Sequence, residues 1–216
     1  MNAAHAVPPH TLSIVVPFYN EEDNISPLVK RVHEALAGYE HPWELVLVDD
    51  GSSDTSYELI KKEIEKRKKR KISCKLISLR KNFGQTAAIS AGIDNSEGKY
   101  ISFLDADLQN DPADIPLFMK KITEGYDAVF GWRKIRRDTG ARSYLSRIAN
   151  SLINKLFQYP YHDVGCSARV VKREFVMDLG LFGELHRVMP VLIYLKGAKI
   201  SEIVVSHRER RQGKSK

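Results

Sequence analysis

The sequence predicts an α/β fold in which a mostly parallel β-sheet is flanked by helices. Short runs that are apolar throughout alternate along the chain with stretches of helical periodicity. Strands of this kind are typical of parallel sheets that are covered on both faces. The polar residues that stand out follow the ends of the apolar runs, and open α/β sheets bind ligands at that edge.

The elements can be placed in order along the 216 residues. The first strand is predicted in LSIVVPFYN, and a helix follows that tolerates Pro27 in its first turn. The second strand, in WELVLVDDGSSD, ends where Ser53 or Asp54 can cap the next helix. Further strands are predicted in CKLISLRKNFG, YISFLDAD and YDAVFGWR, separated by helices over Gln85–Asn95 and Ala113–Thr123.

The chain is basic, with a net charge of +7 and an isoelectric point of about 9.3. Such a balance favours an anionic partner, which can be nucleic acid, lipid headgroups or a phosphorylated substrate. The dense basic run Lys61–Lys71 is interpreted as the solvated end of a helix with Leu59, Ile60 and Ile64 on its buried side. We therefore expect no nucleic-acid partner, although a non-catalytic basic module stays an alternative.

The cysteine content indicates the redox compartment, and the hydropathy indicates whether the chain can cross a membrane. Cys74 and Cys166 are far apart without metal-ligand spacing, which fits a reducing compartment and predicts no zinc site. Residues 1–10 lack the pattern of a signal peptide and are expected to be a flexible lead-in to one domain over residues 11–216. The longest apolar run, near Val188–Leu195, falls short of the roughly 18–20 residues that cross a bilayer. As given, the chain is not expected to span a membrane.

The stretch FLDADLQNDP predicts a metal site. In an extended strand end, alternate residues point the same way, so Asp105, Asp107 and, if the extension continues, Gln109 project together. Two or three hard oxygen ligands that leave the other coordination positions open suit Mg²⁺ or Mn²⁺ better than zinc. The alternative is a turn with a solvated carboxylate, since aspartate is common in turns. The preceding strand and the glutamine favour the metal.

A second acidic cluster, VDDGSSD, predicts a nucleoside pocket. A turn and a helix cap explain its glycine and serines but do not require both Asp49 and Asp50. A carboxylate there can accept hydrogen bonds from a ribose hydroxyl or a base N–H. Tyr19 is placed to stack on a base and Glu21 to accept from it. Because no Walker loop is present, a metal and arginines would hold the phosphates.

The chain resembles the family 2 glycosyltransferases in five segments that keep the family's order, namely VPFYNEE, VDDGSSD, NFGQTAAISAGIDNSEGKYISFLDADLQNDP, GWR and RRQGKSK. The resemblance covers Leu12 to Lys216 and is closer to the polyprenyl-phosphate branch, which includes dolichol-phosphate mannose synthase and bacterial undecaprenyl-phosphate sugar transferases. It implies a GT-A type, Rossmann-like fold, a nucleotide-sugar donor and inversion at the anomeric carbon. The implied product is a lipid-linked sugar for cell-envelope or glycan assembly.

The resemblance also implies roles for single residues. Asp105, Asp107 and Gln109 would hold the divalent ion on the donor diphosphate. Arg133 would meet the acceptor phosphate, with Arg142 as a second arginine and Arg147 as its rival. The implied nucleoside contacts are Pro17, Tyr19, Glu21, Asp49 and Asp50, joined by Arg210. The segment implied to close over the donor phosphates carries Arg210, Gly213, Ser215 and Lys216.

Two segments depart from the family pattern. DVGCSAR stands where many members have Asp-x-x-Ser-Gly-Phe-Arg, and GWR stands where the mannose type has Gly-Thr/Ser-Arg. The donor base, UDP or GDP, and the sugar stay open. His186 and Arg187 match a family pair, but we expect His186 to be a structural histidine.

Residues 141–158 predict an amphipathic helix with basic residues beside its apolar stripe. It can pack on the core or lie at a membrane surface, where each basic side chain adds roughly 1 kcal/mol of attraction to anionic lipid. In the resembling family, Gly-x-Ser-Lys is usually followed by two membrane-spanning helices, whereas the sequence given stops at Lys216. The expectation is a peripheral domain at the cytoplasmic face of a membrane.

An acceptor phosphate is mostly ionised at pH 7, because its second pKa is about 6, so it needs no strongly tuned general base. This chemistry is consistent with the leading hypothesis, which the resemblance implies, namely metal-dependent transfer of a sugar to a polyprenyl phosphate. Transfer to a saccharide or protein hydroxyl is the alternative, and it needs a general base for which Asp163 is the only suggestive candidate. The oligomeric state stays open.

Overall fold

The computed structural model describes residues 11–68, 73–134, 155 and 157–206. The strands in this part of the chain are β1 (Leu12–Phe18), β2 (Trp43–Asp49), β3 (Ser73–Ser78), β4 (Tyr100–Phe103), β5 (Ala128–Trp132), β6 (Arg169–Lys172) and β7 (Ile200–Val204). The helices are α1 (Glu22–Ala35), α2 (Ser56–Lys68), α3 (Gln85–Asp94), α4 (Ile115–Thr123), α5 (Arg173–Val176) and α6 (Met189–Leu195), with 3-10 turns at Pro112–Asp114 and Leu185–Val188.

The strands form one sheet in the order β3-β2-β1-β4-β6-β5-β7. All pairings are parallel except those of β6, which runs antiparallel to β4 and to β5. The mostly parallel sheet is thereby confirmed. Because β6 runs against its neighbours, its first residue, Arg169, pairs with Phe103 and Phe130 where those strands end. The segment before β6 therefore reaches the edge at which the parallel strands finish.

Helices cover both faces of the sheet, as the sequence predicts. On one face, α1, α2 and α4 pack on alternate residues of the central strands, such as Ile14 and Val16 of β1. On the other face, α3 and α6 pack on the intervening residues, among them Val15. Buried apolar side chains on both faces of β1 and β2 explain why the sequences of these strands are continuous apolar runs.

Helix α1 buries Ile25, Leu28, Val29 and Val32 on the side that faces the sheet. It begins at Glu22, so Pro27 lies beyond the first turn, and the expectation of a first-turn position was wrong. Pro27 is exposed, and the intrahelical hydrogen bond that it cannot donate is lost on the side of the helix that faces water.

Helix α2 agrees with the interpretation of the basic run. Ile60 is fully buried, Leu59 and Ile64 pack partly buried against the core, and Lys61 and Lys62 are exposed. Within the described residues, no helix combines the length and the apolar character needed to cross a bilayer. The lead-in over residues 1–10 and most of the amphipathic segment 141–158 lie outside the described residues.

Candidate active site

A cavity of about 350 Å³ opens where β1, β2 and β4 end and where α3 begins. It collects most of the predicted nucleoside residues and both predicted metal carboxylates. Its lining is formed by Pro17, Phe18, Tyr19, Glu21, Asp50, Asn82, Gly84, Gln85, Ala88, Asp105, Ala106 and Asp107. Residues from four separate stretches of sequence therefore meet at the carboxyl edge of the sheet, where α/β sheets bind their ligands.

A larger hollow of about 690 Å³ lies between α1 and α2. Its walls carry exposed charges such as the pair Lys30 and Glu34, whose side chains are 71% and 63% exposed. None of the predicted site residues lines it. We therefore place the candidate site in the smaller cavity at the strand ends.

The loop after β1 is held by the loop after β2. Asn20 adopts a left-handed backbone conformation with φ of 51°, which a side chain that bonds locally tolerates well. Its backbone N–H donates to Ser52 Oγ at 2.9 Å, and its Oδ1 accepts from the Ser53 N–H at 2.8 Å. Tyr19 and Glu21, on either side of Asn20, are therefore presented to the cavity by a loop that is fixed before any ligand arrives.

The two aspartates after β2 have different surroundings. Asp49 is buried, accepts from the Ser52 N–H at 2.9 Å and from Ser78 Oγ at 3.3 Å, and does not line the cavity. Asp50 lines the cavity and also accepts from the N–H groups of Phe83 and Gly84, at 2.8 and 2.9 Å. Asp49 thus holds the turn, whereas Asp50 fixes the loop between β3 and α3 at the cavity wall.

Gly51 allows these two loops to touch. It has a φ of +71°, and a Cβ there would lie 2.4 Å from the backbone carbon of Lys81. Any side chain would push the β3–α3 loop away from Asp50, so the glycine of VDDGSSD is required by this close approach and by its φ.

The metal carboxylates meet through a turn and not through an extended strand. β4 ends at Phe103, and Leu108 has a φ of 61°, so the extension that would align Gln109 with the aspartates does not continue. Asp105 and Asp107 nevertheless both line the cavity. The Gln109 backbone N–H donates to Asp107 Oδ1 at 3.1 Å, and Gln109 is not part of the lining. The metal role of Gln109 stays a prediction.

Asp105 receives a hydrogen bond on each oxygen. Gln85 Nε2 donates to Oδ1 at 2.9 Å, and Ser167 Oγ donates to Oδ2 at 2.5 Å. Asn110 Nδ2 in turn donates to Ser167 Oγ at 2.7 Å. Our sequence reasoning assigned no role to these partners, because they lie 20 and 62 residues from Asp105 along the chain. The polar stretch KNFGQ, which follows β3, is the one local signal that could have indicated Gln85.

The donor set fits an open Mg²⁺ or Mn²⁺ site. Asp105 and Asp107 offer hard carboxylate oxygens to one cavity. Within the described residues, no group of three or more His, Cys, Asp or Glu side chains is arranged to hold a metal by itself. These two carboxylates suit an ion that takes its other oxygen ligands from water and from a substrate diphosphate.

Arg133 and Asp163 form a bidentate pair beside this site. Arg133 Nε donates to Asp163 Oδ2 at 2.8 Å, and Nη2 donates to Oδ1 at 3.0 Å. The Arg133 backbone N–H also donates to Oδ2, at 3.2 Å. The Asp163 side chain is only 1% exposed and that of Arg133 is 15% exposed. Since both oxygens of Asp163 are engaged, it holds the guanidinium in place and is poorly arranged to act as a general base.

Trp132 and His162, the residues next to this pair, stack on each other. Their ring centroids lie 4.1 Å apart, with 13° between the planes. His162 is fixed to β7 through Glu202, which accepts from its backbone N–H at 2.9 Å and lies 2.8 Å from its Nδ1. The tryptophan of GWR therefore braces the segment that leads into Asp163.

Arg169 and Cys166 are buried behind the site. Burial lowers the pKa of Arg169, whose Nε donates to the Ser167 carbonyl at 3.2 Å. Among the described residues, its Nη1 has no hydrogen-bond partner. Burial raises the pKa of the Cys166 thiol to about 11, so this cysteine stays protonated at neutral pH and is not a nucleophile.

His186 has the surroundings of a structural histidine. Its Nδ1 lies 2.6 Å from Thr86 Oγ1, which donates to the Gly183 carbonyl at 2.5 Å. Because the hydroxyl proton is used by Gly183, Nδ1 must carry a proton and donate to Thr86. Burial lowers the pKa of His186, so the neutral ring is favoured.

Several predicted residues fall outside the described part of the chain. They are Arg142, Arg147, Arg210, Gly213, Ser215 and Lys216. Their roles as acceptor arginines and as the donor phosphate loop stay predictions.

Comparison with characterised proteins gives relatives of known name. The dodecaprenyl-phosphate galacturonate synthase of Rhizobium johnstonii is 40% identical over 209 residues, which cover 95% of this chain and 61% of that protein. The undecaprenyl-phosphate 4-deoxy-4-formamido-L-arabinose transferase of Salmonella choleraesuis is 37% identical over 211 residues, covering 98% of this chain and 64% of that protein. The chain thus spans less than two thirds of the length of these relatives.

Solved structures share the fold. Glucosyl-3-phosphoglycerate synthase from Mycobacterium tuberculosis, in complex with UDP, superposes with a TM-score of 0.71 at 17% identity, over 95% of this chain and 73% of that one. The S. aureus protein TarS, residues 1–349 in complex with UDP, gives a TM-score of 0.62 at 21% identity, over 89% and 57% of the two chains. The sheet and its helices are those of a GT-A fold.

The family match agrees with this fold. Residues 13–180 match the family described as Glycosyl transferase family 2. This range includes β1 apart from Leu12, the strands β2 to β6 and every residue that lines the cavity. Because the match covers most of the chain and contains the whole candidate site, the chain belongs to glycosyl transferase family 2.

Proposed function

We propose that the protein transfers a sugar from a nucleotide-diphosphate donor, a UDP- or GDP-sugar, to a polyprenyl phosphate, with inversion at the anomeric carbon. The observation that carries the proposal is the single cavity in which Tyr19, Glu21 and Asp50 face the same space as Asp105 and Asp107. A nucleoside and a metal-bound diphosphate are two parts of a nucleotide-sugar donor, and this cavity offers candidate ligands for both.

The donor half of the site would work by binding and orientation. Tyr19 would stack on the base, and Glu21, on the fixed β1–α1 loop, would accept from it. Asp105 and Asp107 would hold Mg²⁺ or Mn²⁺, which as a Lewis acid would neutralise charge on the leaving diphosphate. Gln85 and Ser167 keep Asp105 turned to one position, so little reorganisation is needed when the donor binds.

In the acceptor part of the site, the anionic acceptor phosphate would have to approach the anionic diphosphate of the donor. Arg133 would bind the acceptor phosphate, and Asp163 fixes the orientation of its guanidinium in advance. The phosphate monoester is mostly ionised at neutral pH, since its second pKa is about 6. It would attack without help from a general base, which agrees with the engagement of Asp163 by Arg133.

The relatives support the choice of donor and acceptor. The two named relatives are described as acting with dodecaprenyl phosphate and undecaprenyl phosphate. A structural neighbour, glucosyl-3-phosphoglycerate synthase, was crystallised with UDP, Mn²⁺ and phosphoglyceric acid. A polyprenyl phosphate acceptor and a nucleotide-diphosphate donor with a divalent ion therefore form the simplest proposal for this chain.

The alternative acceptor, a saccharide or protein hydroxyl, needs a base to take its proton. The one residue suggested for that task, Asp163, has both oxygens bonded to Arg133. This geometry favours the phosphate acceptor. With a lipid acceptor, the reaction would take place at the cytoplasmic face of a membrane, and basic residues of the protein would face anionic lipid.

The test is a panel of UDP- and GDP-sugars offered with a short-chain polyprenyl phosphate and Mn²⁺, with lipid-linked sugar as the measured product. One donor is expected to give product, and chelation of the metal is expected to stop it. Product formation that persists after complete chelation would remove the metal from the proposal. Transfer to a free sugar hydroxyl with no transfer to the lipid phosphate would overturn the acceptor assignment.

The variant for this assay is Asp107→Ala, which removes a carboxylate that faces the cavity. We expect transfer to fall by more than the roughly 10- to 100-fold that loss of an outer-shell metal partner costs. Thermal unfolding should change little, because Asp107 lies on a loop at the surface of the cavity. Asp94→Ala, on the exposed side of α3, is the matched control and should keep wild-type transfer. Near-normal turnover by Asp107→Ala would contradict the metal role.

A further inference from the structure

We infer that Ser167 is a positioning residue that holds Asp105 in the orientation needed for the divalent ion and the donor diphosphate. The inference rests on the proposed function and adds to it a residue outside the predicted set. Ser167 Oγ lies 2.5 Å from Asp105 Oδ2, and Ser167 precedes the start of β6 by two residues. A hydrogen bond of this length between a hydroxyl and an ionised carboxylate belongs to the short, strong class.

The direction of this hydrogen bond follows from its neighbours. An ionised carboxylate can only accept, so at 2.5 Å the hydroxyl of Ser167 must point its hydrogen at Asp105. The second contact of Ser167 Oγ, with Asn110 at 2.7 Å, must then be one in which Oγ accepts, and Asn110 must present its Nδ2. Asn110 is 5% exposed and therefore has little freedom to turn away.

The backbone of Ser167 is fixed as well. Its carbonyl accepts from Nε of the buried Arg169 at 3.2 Å. Four residues earlier in the same segment, Asp163 holds Arg133. One short stretch, which enters the site edge because β6 is antiparallel, thus contacts both the predicted metal carboxylate and the predicted acceptor arginine.

The consequence for Asp105 is geometric. Gln85 donates to Oδ1 and Ser167 donates to Oδ2, so the carboxylate is held from two sides. Each oxygen keeps a further lone pair, and these can point at an ion in the cavity. Removing an outer partner of this kind typically costs about 10- to 100-fold in metal affinity.

The experiment measures Mn²⁺ binding and does not depend on turnover. Mn²⁺ is titrated into the protein in the presence of UDP and, separately, of GDP, and free Mn²⁺ is followed by electron paramagnetic resonance; the nucleotide that supports binding by the wild type is used for all variants. Ser167→Ala removes the hydroxyl and is expected to weaken Mn²⁺ binding by about 10-fold or more. Ser167→Thr keeps the hydroxyl and is expected to stay within about threefold of the wild type, far less than the loss of an outer-shell partner.

The matched control is Ser96→Ala. Ser96 is buried, and its Oγ donates to the Gly92 carbonyl at 2.6 Å, away from the cavity lining. This variant loses a buried hydroxyl of the same type and should keep the wild-type Mn²⁺ affinity. Thermal unfolding of all variants shows whether each one is folded at the assay temperature. If Ser167→Ala is unfolded, Ser167→Gly removes the same hydroxyl with a smaller side chain.

The outcomes separate this inference from the proposed function. If the wild type binds Mn²⁺ with neither UDP nor GDP, or Asp107→Ala binds it as well as the wild type does, the proposed metal site fails. If the wild type binds, Asp107→Ala does not and folded Ser167→Ala binds normally, only the positioning role is overturned. Equal losses in Ser167→Ala and Ser96→Ala would mean a structural role and would also overturn it.

Discussion

Three aspartates at the carboxyl edge of the sheet are each held by donors on both oxygens. Asp50 accepts from two backbone N–H groups, Asp105 from Gln85 and Ser167, and Asp163 from the fork of Arg133. A carboxylate held in this way keeps one orientation, because turning it would break both bonds. Single residues at this edge are thus oriented before any ligand binds.

Arg133→Ala is expected to destabilise the protein as well as weaken acceptor use. Asp163, 1% exposed, would lose the two side-chain hydrogen bonds from Arg133, and breaking a buried ion pair by removing one member costs about 3–5 kcal/mol. Asp163→Asn in the same background should recover most of the unfolding free energy, because the buried charge is gone. Acceptor use should stay weak in the double variant, since the guanidinium is still missing. The measurements are urea unfolding and the KM for a short polyprenyl phosphate.

The control for this pair is Arg187→Ala. Arg187 pairs with Glu184 at 2.6 Å, but both side chains are more than 70% exposed. Exposed pairs contribute about 0–1 kcal/mol, so this variant should unfold like the wild type. If Arg133→Ala were as stable as Arg187→Ala, the pairing of Arg133 with Asp163 would make no contribution to the unfolding free energy.

His186 gives the stability of the protein a dependence on pH. Burial lowers its pKa, so the folded state binds a proton less readily than the unfolded chain does. The contribution is therefore fully present above pH about 6.5 and is lost as the pH falls through the lowered pKa. We expect His186→Gln to reduce the loss of unfolding free energy between pH 7.5 and 5.5, measured by urea unfolding. The exposed His41, changed to Gln, is the control, and equal slopes in all three proteins would refute the assignment.

Among the elements, α3 contacts the central strands more closely than a side chain would permit. A Cβ on Gly92 would lie 2.4 Å from Val15 Cγ1 and 3.3 Å from Val48 Cγ2. Gln85, at the first turn of the same helix, reaches Asp105. The depth at which α3 sits on the sheet therefore also sets the position of a residue in the site.

Gly92→Ala is expected to lower the unfolding free energy by up to about 2 kcal/mol. Overpacking a core costs about 1–3 kcal/mol, and the higher helix propensity of alanine offsets about 1 kcal/mol of that cost. Gly38→Ala is the matched control, because a Cβ there would meet nothing within 4 Å. It should be neutral or slightly stabilising. Urea unfolding of both variants decides the point, and a Gly92→Ala protein at least as stable as Gly38→Ala would contradict it.

The elements also show which parts of the fold could be predicted. β1 to β5 and the helices between them follow from apolar runs and periodicity, and they place Asp50 and Asp105 at strand ends. β6 and β7 were not predicted. RVVK has four residues, and its pairing with β4 and β5 depends on partners far along the chain. The partners of Asp105 and Arg133 escaped prediction for the same reason, since a local pattern carries no record of contacts over 30 or 62 residues.

At the scale of the whole molecule, carboxylates at the two edges of the sheet have different surroundings. At the edge where the strands begin, Glu44 is fully buried, and its Oε1 accepts from Ser13 Oγ and from the Glu97 N–H, both at 2.6 Å. Lys75 Nζ lies 3.1 Å from Oε2 as an ion pair. This carboxylate is closed off by protein groups, whereas Asp105 and Asp107 at the other edge face a cavity.

The net charge of +7 predicts how the whole protein meets a membrane. We expect it to bind vesicles that contain anionic lipid, with neutral vesicles as the control, and to be released as salt rises. The screening length falls from about 10 Å at 0.1 M to about 3 Å at 1 M salt, so electrostatic attraction is lost across this range. Co-sedimentation with vesicles measures it. Equal binding to neutral and anionic vesicles at every salt concentration would exclude an electrostatic contribution.

The antiparallel direction of β6 limits how this domain can vary. Asp163 contacts Arg133 and Ser167 contacts Asp105 from one short segment of backbone, so the spacing of these two contacts is set by the length of that segment. Deleting a residue inside that segment would pull either the guanidinium or the carboxylate out of place, whereas the turn at Gly38 on the far edge has room to lengthen. Variation in this part of the domain is therefore expected in the side chains of the segment and not in its length.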